Sequence, residues 1–242
     1  MIFNGILLKE NLKVDQKFIS FLEPFVSQHK REFIDQVLAE RTRHITIVME
    51  DIKHPQNASA VLRTCECLGI QDIHIIENDN KFQIHKKIVK GSDKWLTIHR
   101  YRGKRKNNSI ECIADLKMNG FLICGLHPAL SGQNMFDFFP GDQKIALVFG
   151  NEFNGLSPEM QSHVDVSLRI PMVGFTESFN LSVCAAICVT HIRNTLIKKE
   201  VNFRLKSEEK ERLKLDWYKK VIRKSGYYER EFYKNLMEGN RE

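Results

Sequence analysis

The stretch that decides the fold begins His44-Ile-Thr-Ile-Val-Met-Glu-Asp-Ile52, turns through Lys53-His-Pro-Gln-Asn57, and continues from Ala58 to Leu68 and Gly69 before Asp72-Ile-His-Ile-Ile76. Its first and last segments are short, apolar and rich in β-branched residues, which predicts buried strands. Between them Val61, Leu62 and Leu68 supply the buried face of a helix, with Asn57 placed to cap its start and Gly69 to end it. Strand, helix, strand in this order is the repeating unit of a parallel sheet.

Working outward, the same alternation recurs downstream. Ile84 to Lys90 reads as a short helix ending near Gly91, and Trp95-Leu-Thr-Ile-His99 as a strand. Ser109 to Met118 is helical, Phe121-Leu-Ile-Cys-Gly-Leu126 is a buried strand, and His127 and Pro128 follow it. Lys144-Ile-Ala-Leu-Val-Phe149 is the clearest parallel strand and opens into Gly150-Asn-Glu-Phe-Asn-Gly155, after which Ser157 caps a helix with Pro158 in its first turn. Val164 to Ile170 alternates with a period near two, while Leu181, Cys184, Ala185, Cys188, Val189, Ile192 and Leu196 recur at three and four. The fold class is therefore α/β, a parallel sheet flanked by helices.

Upstream, Phe18, Phe21, Leu22, Phe25, Phe33, Ile34, Val37 and Leu38 predict two short amphipathic helices separated at Pro24. Downstream, residues 207 to 237 are highly charged with interspersed Leu213, Trp217, Tyr218, Ile222 and Phe232, an appended helical tail. This gives an N-terminal helical extension over 1–43, a core domain over 44–200 and a C-terminal helical tail over 201–242.

Composition limits the function classes. A chain of 242 residues, 42% hydrophobic, can bury a full α/β core. Its 37 lysines and arginines against 30 acidic residues leave a formal charge of +7, compatible with nucleic acid as a partner. No stretch approaches the roughly 18 apolar residues of a membrane span, and the start lacks a leader pattern, so a cytoplasmic protein is expected. The six cysteines, Cys65, Cys67, Cys112, Cys124, Cys184 and Cys188, contain no Cys-x-x-Cys pair and read as buried reduced thiols, with no metal site expected. The glycine spacing at 150–155 superficially fits a phosphate loop, yet Leu156 stands where that motif requires lysine. No Gly-x-Gly-x-x-Gly follows the first strand, which counts against a dinucleotide.

Chemistry concentrates in Ile170-Pro-Met-Val-Gly-Phe-Thr-Glu-Ser-Phe-Asn-Leu-Ser-Val183, a polar loop between a strand and the long apolar helix. Pro171 can end the strand, and Ser178 or Asn180 can cap the helix, whose free amides suit an electron-rich ligand. Arg63 taken alone is a surface residue near a helix start, and His127 is structural. Basic residues grouped as candidate RNA contacts are Arg41 and Arg43, the run Arg100, Arg102, Lys104, Arg105 and Lys106, and Lys219 and Lys220 in the tail.

Three stretches together carry a family resemblance: Asn57-Ala-Ser-Ala-Val-Leu-Arg63-Thr64 with Gly69, Leu147-Val-Phe-Gly-Asn-Glu152 through Ser157, and Ile170-Pro-Met-Val-Gly through Ser178-Phe-Asn180-Leu-Ser182. In order and separation they resemble the SpoU/TrmH branch of the SPOUT RNA 2′-O-methyltransferases, and the flanking helices resemble those of the tRNA guanosine-18 enzymes. The resemblance implies a C-terminal deep trefoil knot, S-adenosyl-L-methionine as cofactor, a homodimer, and a tRNA substrate, the same chemistry on large-subunit rRNA being the alternative. A non-catalytic RNA-binding protein on the same fold is the alternative of a different class. It assigns Arg63, Asn57, Glu152, Ser178 and Asn180 to catalysis, and Gly125, Leu126, Gly150, Ile170, Met172, Phe179 and Leu181 to the cofactor. Gln56 and Phe179 depart from residues common in relatives, and neither departure removes a catalytic side chain.

Overall fold

The computed structural model describes residues 14–103, 107–127 and 132–238. The chain divides into two compact units, one spanning Thr42–Phe203 and the other formed by the segments on either side of it.

In the larger unit, among the described residues, seven strands form a single sheet in the order β3-β2-β1-β6-β4-β7-β5. In chain order they are β1 (Ile45–Glu50), β2 (Asp72–Ile76), β3 (Thr97–Tyr101), β4 (Phe121–Leu126), β5 (Gln133–Asn134), β6 (Lys144–Phe149) and β7 (Val166–Arg169). Every pairing is parallel. Parallel strands need covered faces, and the alternation along them supplies two cores. Ile45, Ile47 and Met49 of β1 and Ile145, Leu147 and Phe149 of β6 face a core completed by Val61, Leu62, Cys188, Val189 and Ile192. Val48, Ala146 and Val148 face the opposite core with Cys112, Ile113, Leu116 and Met160. Helices α3 (Pro55–Cys67), α4 (Lys86–Val89) and α7 (Leu181–Lys198) belong to the first layer, and α5 (Asn108–Met118) and α6 (Pro158–Gln161) to the second.

Asn107, Ser157 and Asn180 each cap a helix through a side-chain oxygen, on α5, α6 and α7. Helix α3 differs from the sequence expectation. It starts at Pro55 with His54 before it, so Asn57 lies inside the first turn rather than at the cap. Proline at the first helical position has no N–H to leave unpaired and its φ is preset for a helix, which moves the start three residues earlier, from Ala58 to Pro55. The side chain of Asn57 is thereby free for another use.

The second unit contains α1 (residues 14–22), α2 (Gln28–Glu40), α8 (Ser207–Val221) and α9 (Ser225–Glu238). Segments from opposite ends of the chain pack together: the rings of Phe18 and Phe232 stack at 4.6 Å, and those of Phe25 and Tyr228 approach to 4.1 Å. Lys214 pairs with Asp35 at 2.8 Å. Arg41, expected at an RNA surface, is only 1% exposed, its guanidinium 5.2 Å from the ring of Trp217. An arginine held against an aromatic face inside a helical unit is a packing residue, so Arg41 does not lie at a surface open to RNA.

Of the cysteines, Cys65, Cys112, Cys124 and Cys188 are buried free thiols; Cys67 is exposed, contrary to expectation, and Cys184 is half-buried. Cys67 lies at the last turn of α3, two positions after Cys65, and so projects away from the core.

Candidate active site

Parallel strands bring their carboxyl ends to one edge of the sheet, and the crevice there is where α/β folds hold ligands. Chain direction across the sheet reverses at β1, which lies between β2 and β6. Beyond the ends of β4, β6 and β7 opens a cavity of about 600 Å³ lined by Leu126, Phe149, Leu168, Ile170, Met172 and Leu181, with a polar side of Asn57, Asn151, Glu152, Ser178 and Asn180.

The three sequence stretches meet through one chain of hydrogen bonds. Glu152 accepts from the backbone N–H of Lys53 at 3.0 Å, of His54 at 3.2 Å, and from Asn57 Nδ2 at 2.9 Å. Asn57 Oδ1 accepts from Asn180 Nδ2 at 2.9 Å. Asn180 Oδ1 in turn accepts from Ser182 N at 2.9 Å and Ser182 Oγ at 2.8 Å at the start of α7. An ionised carboxylate accepts only, so the Asn57 amide must turn its NH₂ to Glu152 and its oxygen to Asn180. The same logic fixes Asn180. Burial alone pushes the Glu152 carboxyl up, but the Asn57 amide and the backbone N–H groups of Lys53, Glu152 and His54 outweigh it and hold the group below its ordinary value.

The Gly150–Gly155 loop is tight. Asn151 and Gly155 exchange backbone hydrogen bonds at 2.9 Å, and a Cβ on Gly150 would fall 2.2 Å from the carbonyl carbon of Gly155. Only glycine lets the loop return this closely. Asn151 Nδ2 donates to the carbonyl of Asp51 at 2.8 Å, tying the exits of β6 and β1. The far end of the loop is anchored by Glu50, 1% exposed, which accepts from Ser157 N at 2.9 Å, Ser157 Oγ at 2.7 Å and Ser109 Oγ at 2.5 Å.

Of the residues expected at the site, Asn57, Glu152, Ser178, Asn180, Leu126, Gly150, Ile170, Met172, Phe179 and Leu181 line the cavity. Gly125 does not. The Cβ it lacks would fall 2.7 Å from Val164 Cγ2 and 3.0 Å from Leu156 Cδ1, so its bareness serves the core rather than a cofactor. Arg63 is exposed on α3 and stands outside the cavity wall. The sequence reading offers no role for Glu50 or Asn151, and reads His127 as structural and Cys184 as a buried thiol, yet His127, Asn151 and Cys184 line the cavity. His127 lines the cavity beside Leu126, and its N–H bonds the carbonyl of Leu168 at 2.9 Å. Glu50 had a legible sign, a carboxylate ending an apolar strand whose six residues are all buried.

The basic candidates separate. Arg100 donates to both oxygens of Glu77, at 2.8 and 2.9 Å, and Lys219 pairs with Glu229 at 2.6 Å, so these charges are internally matched. Arg43 lies 3.6 Å from Asp72. Arg102 and Lys220 are exposed. Lys104, Arg105 and Lys106 lie outside the described residues.

The crevice offers an apolar pocket, a tight glycine loop and a directed amide chain. Comparison with known proteins agrees. Residues 44–190 match the SpoU rRNA Methylase family, and the chain belongs to that family. A tRNA (guanosine(18)-2′-O)-methyltransferase of Borreliella burgdorferi is 35% identical over 88% of this chain and 95% of its own length. One of the same name from Aquifex aeolicus is 27% identical over 84% and 95%. The crystal structure of the Aquifex aeolicus TrmH/SpoU tRNA modifying enzyme superposes with a TM-score of 0.70 at 26% identity, covering 81% of this chain and 98% of that one. The SpoU methyltransferase AviRb of Streptomyces viridochromogenes, solved with AdoMet, shares the fold with a TM-score of 0.55 at 22% identity over 68% of this chain and 64% of that one.

Proposed function

We propose that this protein methylates the ribose 2′-oxygen of a tRNA guanosine, that at position 18, using S-adenosyl-L-methionine. Family membership and full-length relatives of that name support the activity and substrate. The observation that carries the reading is the Glu152–Asn57–Asn180 chain, which joins all three motif segments at the mouth of one cavity.

The cavity fits the cofactor. Its volume of about 600 Å³ is within the usual range for a ligand of that size, and an apolar wall with a few convergent polar groups suits a nucleoside. Leu126, Ile170, Met172 and Leu181 would hold the adenine side, and Gly150 and Phe179 the backbone contacts. When bound, S-adenosyl-L-methionine supplies an electrophilic methyl group on a sulfonium centre.

The protein's own residues have to place a weak nucleophile in line and stabilise the charge it develops. Asn57 and Asn180 are held in fixed orientation and border the ribose. Glu152 fixes the loop and the direction of both amides. Ser178 adds a hydroxyl on the open side. Arg63, outside the cofactor wall and exposed, faces the RNA side, where its permanently charged guanidinium stabilises the developing alkoxide and engages a phosphate. The ribose proton leaves to solvent rather than to Arg63.

The working form is a homodimer in the cytoplasm. Val173 and Phe175 are fully exposed and Phe179 and Val183 partly so, an apolar surface bordering the cavity that a second copy would cover. The late strands β6 and β7 enter between earlier ones, an order compatible with the trefoil knot. No described helix is long and apolar enough to cross a membrane.

The test is incubation with labelled S-adenosyl-L-methionine and unmodified tRNA or rRNA, with the methyl group mapped by nuclease digestion and mass spectrometry. Ribose label at guanosine 18 is expected. Label in rRNA alone would overturn the substrate, and bound cofactor without label in either RNA would overturn the activity.

A further inference from the structure

Phe153 sits in the tight loop with 69% of its surface exposed. The loop is not loose. The Phe153 N–H donates to Asn151 Oδ1 at 2.9 Å, and the residue lines the mouth of the cavity. Two side chains flank the ring: Lys53 Nζ lies 5.0 Å from its centroid, and the His54 ring lies 5.7 Å away at an interplanar angle of 56°. The backbone N–H groups of these same two residues are held by Glu152. One carboxylate therefore both directs the amide chain and positions the groups around Phe153.

We propose that Phe153, with Lys53 and His54, is a stacking platform for the base of the nucleotide whose ribose is methylated. This rests on the RNA methyltransferase reading and adds a substrate contact to it. A ribose inside folded RNA reaches a cavity only if its nucleotide leaves the neighbouring bases, and the stacking lost must be replaced. A preorganised ring at the cavity mouth replaces it, because every base offers a π-face. The flanking lysine suits the phosphate attached to that nucleotide. A protein surface closing over the ring would instead desolvate Lys53, whose ammonium pairs with no carboxylate among the described residues.

The test compares Phe153→Ala, Phe153→Leu and Phe153→Trp. Methylation of an unmodified tRNA transcript is measured at steady state, cofactor binding without RNA by calorimetry, and assembly by light scattering. The platform predicts that Ala and Leu each lower kcat/KM for the transcript by about tenfold or more while Trp preserves it. Cofactor affinity and assembly stay at wild-type values in all three. A transcript with 2-aminopurine at the target base is quenched on binding wild type and Phe153→Trp, and not Phe153→Ala. Unchanged kcat/KM in Phe153→Ala, a Leu variant equal to wild type, or loss of cofactor affinity or assembly would overturn the proposal, the last two by assigning the ring to the cavity wall or to an interface. Wild-type protein that methylates no tRNA would instead overturn the underlying functional reading.

Discussion

Replacing Glu152 by glutamine tests the hydrogen-bonded core of the site with almost no change of shape. The native carboxylate accepts three donors, from Lys53, His54 and Asn57, at 3.0, 3.2 and 2.9 Å. Glutamine keeps one oxygen and presents an NH₂ to at least one donor, so one or two charge-assisted bonds are lost. Each is worth about 1.5–3 kcal/mol, and because Glu152 is half-exposed the lower end applies, giving roughly 2 kcal/mol. Drawn from the closed arrangement of the cavity, that corresponds to about thirtyfold weaker cofactor binding, measurable by calorimetry. The pH dependence supplies a second check. The folded carboxyl titrates below its unfolded value, so its stabilisation is fully present above the unfolded pKa of about 4.3 and is lost as pH falls through the lower folded value. Urea denaturation should therefore show wild type and Glu152→Gln converging in strongly acid solution and separating near neutrality. Equal cofactor affinity together with parallel stability curves would refute the role assigned to Glu152.

Other outcomes follow from individual contacts. Arg63→Ala should slow methylation by about a hundredfold or more while cofactor binding, measured by calorimetry, stays unchanged, and Arg63→Lys should restore little of the rate because it lacks the planar fork. Gly150→Ala places a methyl group 2.2 Å from the backbone of Gly155, so the loop must shift, lowering stability by about 1–3 kcal/mol and removing cofactor binding, as thermal denaturation with and without cofactor will read. Burial first, then the neighbouring His99, pull His74 down to about 4, with Asp72 opposing. A histidine depressed in the fold stabilises above its unfolded pKa of about 6.5, so up to about 3 kcal/mol should be lost as pH falls from there to about 4, a loss that urea titrations of His74→Gln will show reduced.

Much of this architecture is legible in the sequence because parallel strands are buried on both faces and read as unbroken apolar runs. The expected limits of β2, β4 and β6 agree with the structure to the residue. β3 is displaced because Ser92–Trp95 forms a 3-10 turn, so the strand begins at Thr97 and runs on to Tyr101. Local periodicity cannot report that Phe18 meets Phe232, since the contact joins the two ends of the chain, and for that reason Arg41 reads as a surface charge. The site is legible as three motifs, but not their wiring. Asn57 has the composition of a cap, and only the start of α3 at Pro55 reveals that its amide is free to meet Glu152 and Asn180. Glu50 and Asn151 escape notice because their bonds reach Ser157, Ser109 and Asp51 across loops that pattern analysis treats separately.

The amide chain also has a one-way grammar. A carboxylate at its head fixes which end of Asn57 points forward, Asn57 fixes Asn180, and Asn180 decides what the first turn of α7 receives. A library that randomises residue 57 alone therefore samples a position whose vocabulary is already chosen by its neighbours at 152 and 180. A carboxylate introduced at 57 would repel the head, and one at 180 would offer the oxygen of Asn57 no donor. Redesign of this mouth has to rewrite the three positions as one word.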